Sequence, residues 1–422
     1  MAQASSSVKA EIASKVEAAK ASVEATVEVA KAKVEAAVEE TKAKVEAGKP
    51  KAAPEPRVYE SKLNEVREWK KSTLTLEERF EICRSVGEEC IKDEELRALL
   101  EKKDHPICYD GFEPSGRMHI AQGILRMINV NRLTSAGCIF RFWVADWFAL
   151  LNNKMGGDLK KIRKVGQYLI EIWKAAGMNM ENVQFLWASD EINAHADEYW
   201  TRVIDVARRF NIARIQRCCT IMGRKEADDM SAAQLMYPCM QCADVFFLKA
   251  DICQLGLDQR KVNMLAREYC DEVKIKHKPV IISHHMLMGL KQGQEKMSKS
   301  DPDSAIFMED TASDVSRKIK KAYCPPGQVN DNPILDYMKH IVFPLFTKGV
   351  VVKRKEEFGG DKTYMTFDEL AADYLTEAIH PGDLKPTLTD YLNQILEPVR
   401  QHFSQGEPKK LLAEIKKYKI TR

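Results

Sequence analysis

The sequence predicts an α/β protein in three parts: a helical extension over residues 1–56, an open parallel sheet covered by helices over 57–313, and a smaller helical domain over 314–422. Three observations carry that prediction. Short apolar runs alternate with helical periodicity from about Val58 onward, which is the pattern of strands joined by crossover helices. Strand signals thin out beyond "KMSKSDP", and the remainder to Arg422 has mainly helical spacing. The first fifty residues instead repeat: Ile12, Val23, Val34 and Val45 are spaced by eleven, with Val16, Val27 and Val38 at the same interval.

Ala, Lys and Glu fill the repeat, so it reads as a long helix with a narrow apolar stripe, a solvated appendage. "GKPKAAPEP" then stops the helix and serves as a linker. Within the central part the expected strands are "ICYDGF", "CIFRFWVAD", "VQFLWAS", "KADICQLG" and "PVIISHHM". Expected helices include Met118 to Ala136, Lys160 to Ala176, Ala232 to Leu248 and Gln259 to Cys270, and the stretch from Val58 to "RALLEKKDHP" reads as helical too. Ligands of such a sheet bind beyond the carboxyl ends of its strands.

Composition narrows the function classes. No apolar run approaches a membrane span, and the N-terminus lacks a secretory or transit signature, so the cytosol is the expected compartment. Eleven cysteines in such a chain read as reduced thiols. With 65 basic and 62 acidic residues the formal charge is only +3, so any nucleic-acid surface must be local.

Two segments suit phosphate. "YDGFEPSGRMHIAQG" joins a strand end, a turn containing Gly111 and a helix start, and sets His119 beside N–H groups able to meet an anion. "QGQEKMSKSDPDS" follows Gly293 with Lys296 and Lys299 as cations and Ser298 and Ser300 as hydroxyl donors, a loop able to fold over a polyphosphate. A third segment, "YPCMQCADVF", admits two readings. Cys239 and Cys242 form a Cys-x-x-Cys pair, whereas Tyr237, Gln241 and Asp244 share one helical face. The cysteines point away from that face and lack a second ligand pair at zinc-finger spacing, so they read as packing residues, and no protein-only metal site is expected.

"HIAQ" followed by "KMSKS" on an alternating strand–helix chain resembles the class I aminoacyl-tRNA synthetases, with their HIGH and KMSKS signatures. The second signature matches letter for letter. In the first, Ala121 and Gln122 replace a glycine and a histidine, so only His119 carries over. The pocket-helix residues and "GLDQRK" resemble the tyrosyl type of eukaryotes and archaea. That resemblance implies a Rossmann-like catalytic domain with a connecting insertion near 200–235 and a C-terminal anticodon-binding domain. It implies that Tyr109 and Asp244 bind the phenol of L-tyrosine, that Tyr237, Gln241 and Gln259 hold its ammonium, and that Asp258 helps place ribose or substrate. Gly111, His119, Lys296, Ser298 and Lys299 would contact ATP, with His119, Lys296 and Lys299 catalytic and Mg²⁺ carried by the phosphates.

The same resemblance assigns Phe358, His380 and Asp383 to the anticodon of tRNA(Tyr). Arg208, Arg209, Arg214, Arg217, Arg224 and Lys225 would meet acceptor-stem phosphates, and the apolar residues interleaved with them would form a homodimer contact. The implied activity is tyrosine–tRNA ligation. A tryptophanyl enzyme is the nearest rival, and a catalytically silent, synthetase-like tRNA-binding protein belongs to a different class.

Overall fold

The computed structural model describes residues 2–47, 59–222, 229–297 and 301–418. Ser298, Lys299, Arg224 and Lys225 lie outside the described residues. The chain divides into two compact units, Met1–Val58 and Tyr59–Arg422. The first contains one helix of 46 residues, Ala2–Ala47, along which Val16, Val23, Val27, Val34 and Val38 are exposed.

The second unit is organised by a six-stranded sheet: β1 (Glu89–Ile91), β2 (Ile107–Phe112), β3 (Ile139–Val144), β4 (Val183–Trp187), β5 (Ile252–Cys253) and β6 (Val280–Ser283). Their spatial order is β1-β6-β5-β2-β3-β4. The five strands β2 to β6 are parallel, while β1 pairs antiparallel with β6 at the edge. This edge strand corrects the expectation of an all-parallel sheet. "EECI" is too short to show a strand period, and its pairing with β6 is a long-range choice. The expected N-terminal helical stretch is likewise broken, with helices only at Leu76–Ser85 and Asp93–Lys102.

Alternation along each strand sorts side chains to two faces. Phe140, Phe142 and Val144 of β3 enter one core cluster, and Trp143 enters the other with Tyr109, Cys253 and Ile281. The helix Ala232–Phe247 packs into that second cluster. Because β2, β3 and β4 build outward in one direction and β5 and β6 return on the other side, the order reverses between β2 and β5. A crevice forms at such a reversal.

The segment beyond Ala312 is mainly helical, with its longest helix at Pro381–His402. It also holds an antiparallel ribbon, β7 (Val350–Val352) with β8 (Lys362–Tyr364), which the helical reading did not anticipate. Among the described residues no helix is long and apolar enough to cross a membrane.

Candidate active site

A cavity of about 440 Å³ opens at the carboxyl ends of β2, β3, β5 and β6. Its wall includes Tyr109, Gly111, His119, Tyr237, Gln241, Asp244, Gln259 and Lys296, so eight of the residues expected from sequence meet in one place. Asp258 lines it as well.

The helix Ala232–Phe247 begins with a capping box: the Ser231 hydroxyl accepts from the Gln234 N–H, and the Gln234 amide oxygen accepts from the Ser231 N–H. At its other end the buried Arg141 guanidinium donates to the Leu248 carbonyl at 2.7 Å, taking up one of the terminal carbonyls. Fixed at both ends, the helix turns Tyr237, Gln241 and Asp244 toward the cavity. Cys239 and Cys242 are buried free thiols in the packed cluster behind it.

Asp244 sits at the deep end, 1% exposed. The Tyr199 hydroxyl donates to its Oδ1 at 2.8 Å, while Oδ2 is buried without a hydrogen bond. The Trp143 indole nitrogen is also buried without a well-formed hydrogen bond. Burial pushes the Asp244 carboxyl well above its ordinary range; the Tyr199 hydroxyl and then the indole N–H oppose that shift. The indole N–H therefore faces Asp244 without good hydrogen-bond geometry, and a ligand donor can complete the buried Oδ2. Further out, the Tyr237 hydroxyl donates to Glu113 at 2.7 Å and the Gln241 amide donates to Gln259 at 3.1 Å.

The other end of the cavity suits phosphate. The stretch expected as a helix from Met118 starts otherwise: His119 bridges to Phe307, and a π-helical turn, Ala121–Leu125, precedes the α-helix Arg126–Ser135. The π turn displaces backbone carbonyls from the α ladder, a distortion common beside functional sites. The Ile120 N–H donates to the Ile306 carbonyl and the Met308 N–H to the Met118 carbonyl, so the "HIAQ" segment is stitched to the chain just past "KMSKS". His119 and Lys296, far apart in sequence, thus line one cavity. Lys296 Nζ stands 3.7 Å from Asp258.

Several residues in the cavity wall or behind it escaped the sequence reading. Asp110 and Arg126 form an ion pair at 2.9 Å, and burial raises the Asp110 carboxyl to about 7 despite the guanidinium. His284 Nδ1 accepts from the Gln254 amide at 2.9 Å, and burial lowers the imidazole to about 3, which keeps it neutral. Glu113 receives the Tyr237 hydroxyl, and Tyr199 acts on Asp244. The available signals were the acid that closes "ICYD" and the paired histidines after "VIIS". Neither identifies its partner without the fold.

Asp110 is paired to Arg126, Glu113 is engaged by Tyr237 and Asn152, and Asp258 faces Lys296.

The expected anticodon residues lie in the C-terminal part. Phe358 is 61% exposed on a short turn, Glu356–Phe358. Arg354 donates to the Gly360 and Ala378 carbonyls, which holds that turn toward the segment leading to His380. His380 and Asp383 form a capping box for the helix Pro381–His402, a structural role that the sequence reading did not assign them. Of the expected tRNA-facing arginines, Arg208 and Arg209 pair with Asp205 and Arg214 with Glu268.

Comparison with known proteins agrees with this geometry. Residues 101–397 match the family model for class I tRNA synthetases of the W and Y type. The cytoplasmic tyrosine–tRNA ligase 1 of Arabidopsis thaliana is 64% identical over 348 residues, which is 82% of this chain and 90% of that protein. Among solved structures, the Leishmania major tyrosyl-tRNA synthetase in complex with tyrosinol is 56% identical with a TM-score of 0.78, over 82% of this chain and 61% of that one. The Pyrococcus horikoshii tyrosyl-tRNA synthetase complexed with L-tyrosine is 34% identical with a TM-score of 0.74, over 81% of this chain and all of the other. A fold whose strand ends bring His119 and Lys296 to one cavity, together with similarity along four-fifths of the chain, places this protein in the tyrosyl-tRNA synthetase family of class I aminoacyl-tRNA synthetases.

Proposed function

We infer that this chain is a tyrosine–tRNA ligase, which activates L-tyrosine with ATP and passes the tyrosyl group to tRNA(Tyr). The observation that carries this reading is buried Asp244, whose Oδ2 lacks a well-formed hydrogen bond, at the end of a cavity whose other end holds His119 and Lys296. A phenol reaching that oxygen completes its hydrogen bonding, with Tyr109 beside it in the cavity wall. Phenylalanine would leave it unpaired, a kind of discrimination for which tyrosyl enzymes are themselves the standard example. Tyr237, Gln241 and Gln259 line the same cavity and would receive the ammonium group.

The substrate carboxylate is ionised at neutral pH, so it attacks the α-phosphorus of ATP without a general base. The new bond is carboxylate oxygen to phosphorus, and the bond to the pyrophosphate oxygen breaks with its electron pair on pyrophosphate. Gly111 and His119, with Lys296 and the sequence-adjacent Ser298 and Lys299, would hold the phosphates as that charge develops. Mg²⁺ carried by the ATP phosphates would neutralise charge there, and no protein ligand is assigned to it. A ribose hydroxyl at the tRNA end then takes the tyrosyl group and AMP leaves.

Phe358 is exposed enough to stack on an unpaired anticodon base, and Arg354 ties its turn to Ala378, two residues before His380, which with Asp383 would read that base. Exposed Ile204, Ile212 and Met236, on helices packed near the expected insertion, favour a homodimer contact. We assign the chain to the cytoplasm by its similarity to the cytoplasmic ligase of Arabidopsis thaliana. The test is amino-acid-dependent exchange of pyrophosphate into ATP. Exchange with tyrosine supports the reading, exchange with tryptophan alone replaces it with the tryptophanyl activity, and none with either leaves a tRNA-binding protein without catalysis.

A further inference from the structure

The loop that leaves β6 carries Lys296 toward its far end, and its near end is held by a side chain outside any role given above. The His285 imidazole meets a carboxylate at each nitrogen: Nδ1 lies 2.5 Å from Glu88 and Nε2 lies 2.7 Å from Asp336. Only the doubly protonated ring donates to both. The second oxygen of Asp336 accepts the Met288 N–H at 2.9 Å, and the Tyr337 hydroxyl donates to the Met288 carbonyl at 3.3 Å. One short helix, Pro333–Tyr337, thus grips the loop by a side chain and by its backbone. His285 also lines the cavity.

Glu88, His285 and His340 could be taken for a metal cluster, since their ligand atoms lie within 4.8 Å of one another. The rings of His285 and His340, however, stack at 3.9 Å with an interplanar angle of 11°. Stacked parallel rings keep their lone pairs in separate planes, so both cannot converge on one ion. The arrangement fits a proton instead. Burial alone would lower the His285 pKa, but Asp336 and then Glu88 outweigh it and raise the value. His340, lowered by burial to about 4, and the neighbouring His284, lowered to about 3, are neutral and do not compete for that charge.

We propose that His285 is a positioning residue for the use of ATP: bridging Glu88 and Asp336 as an imidazolium, it fixes the base of the loop that presents Lys296 to the cavity. This rests on the reading that the cavity takes ATP. It also makes the helix Pro333–Tyr337 a mechanical link between the C-terminal part and the nucleotide end of the site.

Pyrophosphate exchange by the full chain across the His titration range, in wild type, Asp336→Asn, Glu88→Gln and His285→Gln, tests it. Asp336→Asn should raise the KM for ATP about tenfold, as the loss of one charge-assisted hydrogen bond implies, with the KM for tyrosine unchanged. In wild type, kcat/KM for ATP should fall on the alkaline side as His285 loses its proton. Asp336→Asn should move that fall to lower pH, and His285→Gln should abolish it while keeping the raised KM. Equal effects on both substrates, or an alkaline limb that survives His285→Gln, overturn the proposal. Should Asp336→Asn fail to fold, Glu88→Gln, at the more exposed end of the ring, repeats the test with a smaller shift, and an unmoved limb there overturns it. Wild-type chain without any exchange would instead remove the underlying reading of the cavity.

Discussion

The helix Ala2–Ala47 runs for 46 residues with Val23 62% and Val34 63% exposed, whereas the 16-residue helix Ala232–Phe247 is buried along most of its length. Each is announced by residue spacing. In the first, alanine and glutamate make helix formation favourable residue by residue, but the single valine row offers little area to bury. In the second, apolar residues surround the axis, Pro238 interrupts the hydrogen-bond ladder, and polar groups occupy the one face that meets a cavity. Propensity stabilises the long helix. Tertiary packing stabilises the short one, and this lets it keep an unsatisfied carboxylate oxygen where a substrate can use it.

That contrast breaks most sharply at Asp244. Asp244→Ala should lower kcat/KM for tyrosine about a hundredfold, the cost of a lost buried hydrogen bond to the ligand, and should narrow the gap to phenylalanine. Unchanged tyrosine kinetics would remove Asp244 from the pocket.

The same residue should be a stability liability without ligand. Its folded-state pKa is raised, so between the ordinary carboxylate value and that raised value the folded protein holds a proton that the unfolded chain has released. Stability therefore falls as pH rises through that window. Asp244→Asn cannot ionise and should melt a few degrees higher at neutral pH while losing tyrosine selectivity. An equal or lower melting temperature would contradict the destabilisation assigned to the buried carboxyl.

Behind the substrate face, Cys242→Ala should cost about 1 kcal/mol through the space it leaves and spare the exchange rate. If chelators or thiol oxidation reproduced a loss of activity, the Cys-x-x-Cys reading would return. On the long helix, Val23→Ala with Val34→Ala should change the melting of the second unit by less than about 0.5 kcal/mol, since both side chains are exposed. Removal of residues 1–56 should leave adenylation kinetics unchanged, a result that steady-state exchange can check directly.

Much of the architecture was legible because its periods are local. The strands "ICYDGF" and "VQFLWAS" and the helices near 160–176 and 232–248 stand within a residue or two of their expected places. The edge strand "ECI" and the ribbon β7–β8 were not legible, because each is only three residues long and is defined by a distant partner. At the site, the stripe of Tyr237, Gln241 and Asp244 follows from helix geometry alone. Glu113, Asp110 with Arg126, and Tyr199 became visible only with the fold, because what matters about them is the group they face.

By itself the sequence determined which residue types share a helix face, where Gly- and Lys-bearing segments interrupt the alternation of strands and helices, and that the Cys-x-x-Cys pair points away from the polar stripe. Those are consequences of backbone periods, which act over one or two turns. Tertiary structure alone decided that "HIAQ" lies against the segment after "KMSKS", that one oxygen of Asp244 takes a short bond from Tyr199 while the other lacks a well-formed one, and that His285 meets Glu88 and Asp336 together. Hydrogen-bond satisfaction and charge pairing depend on atoms brought together from segments far apart in the chain, and no local period encodes them.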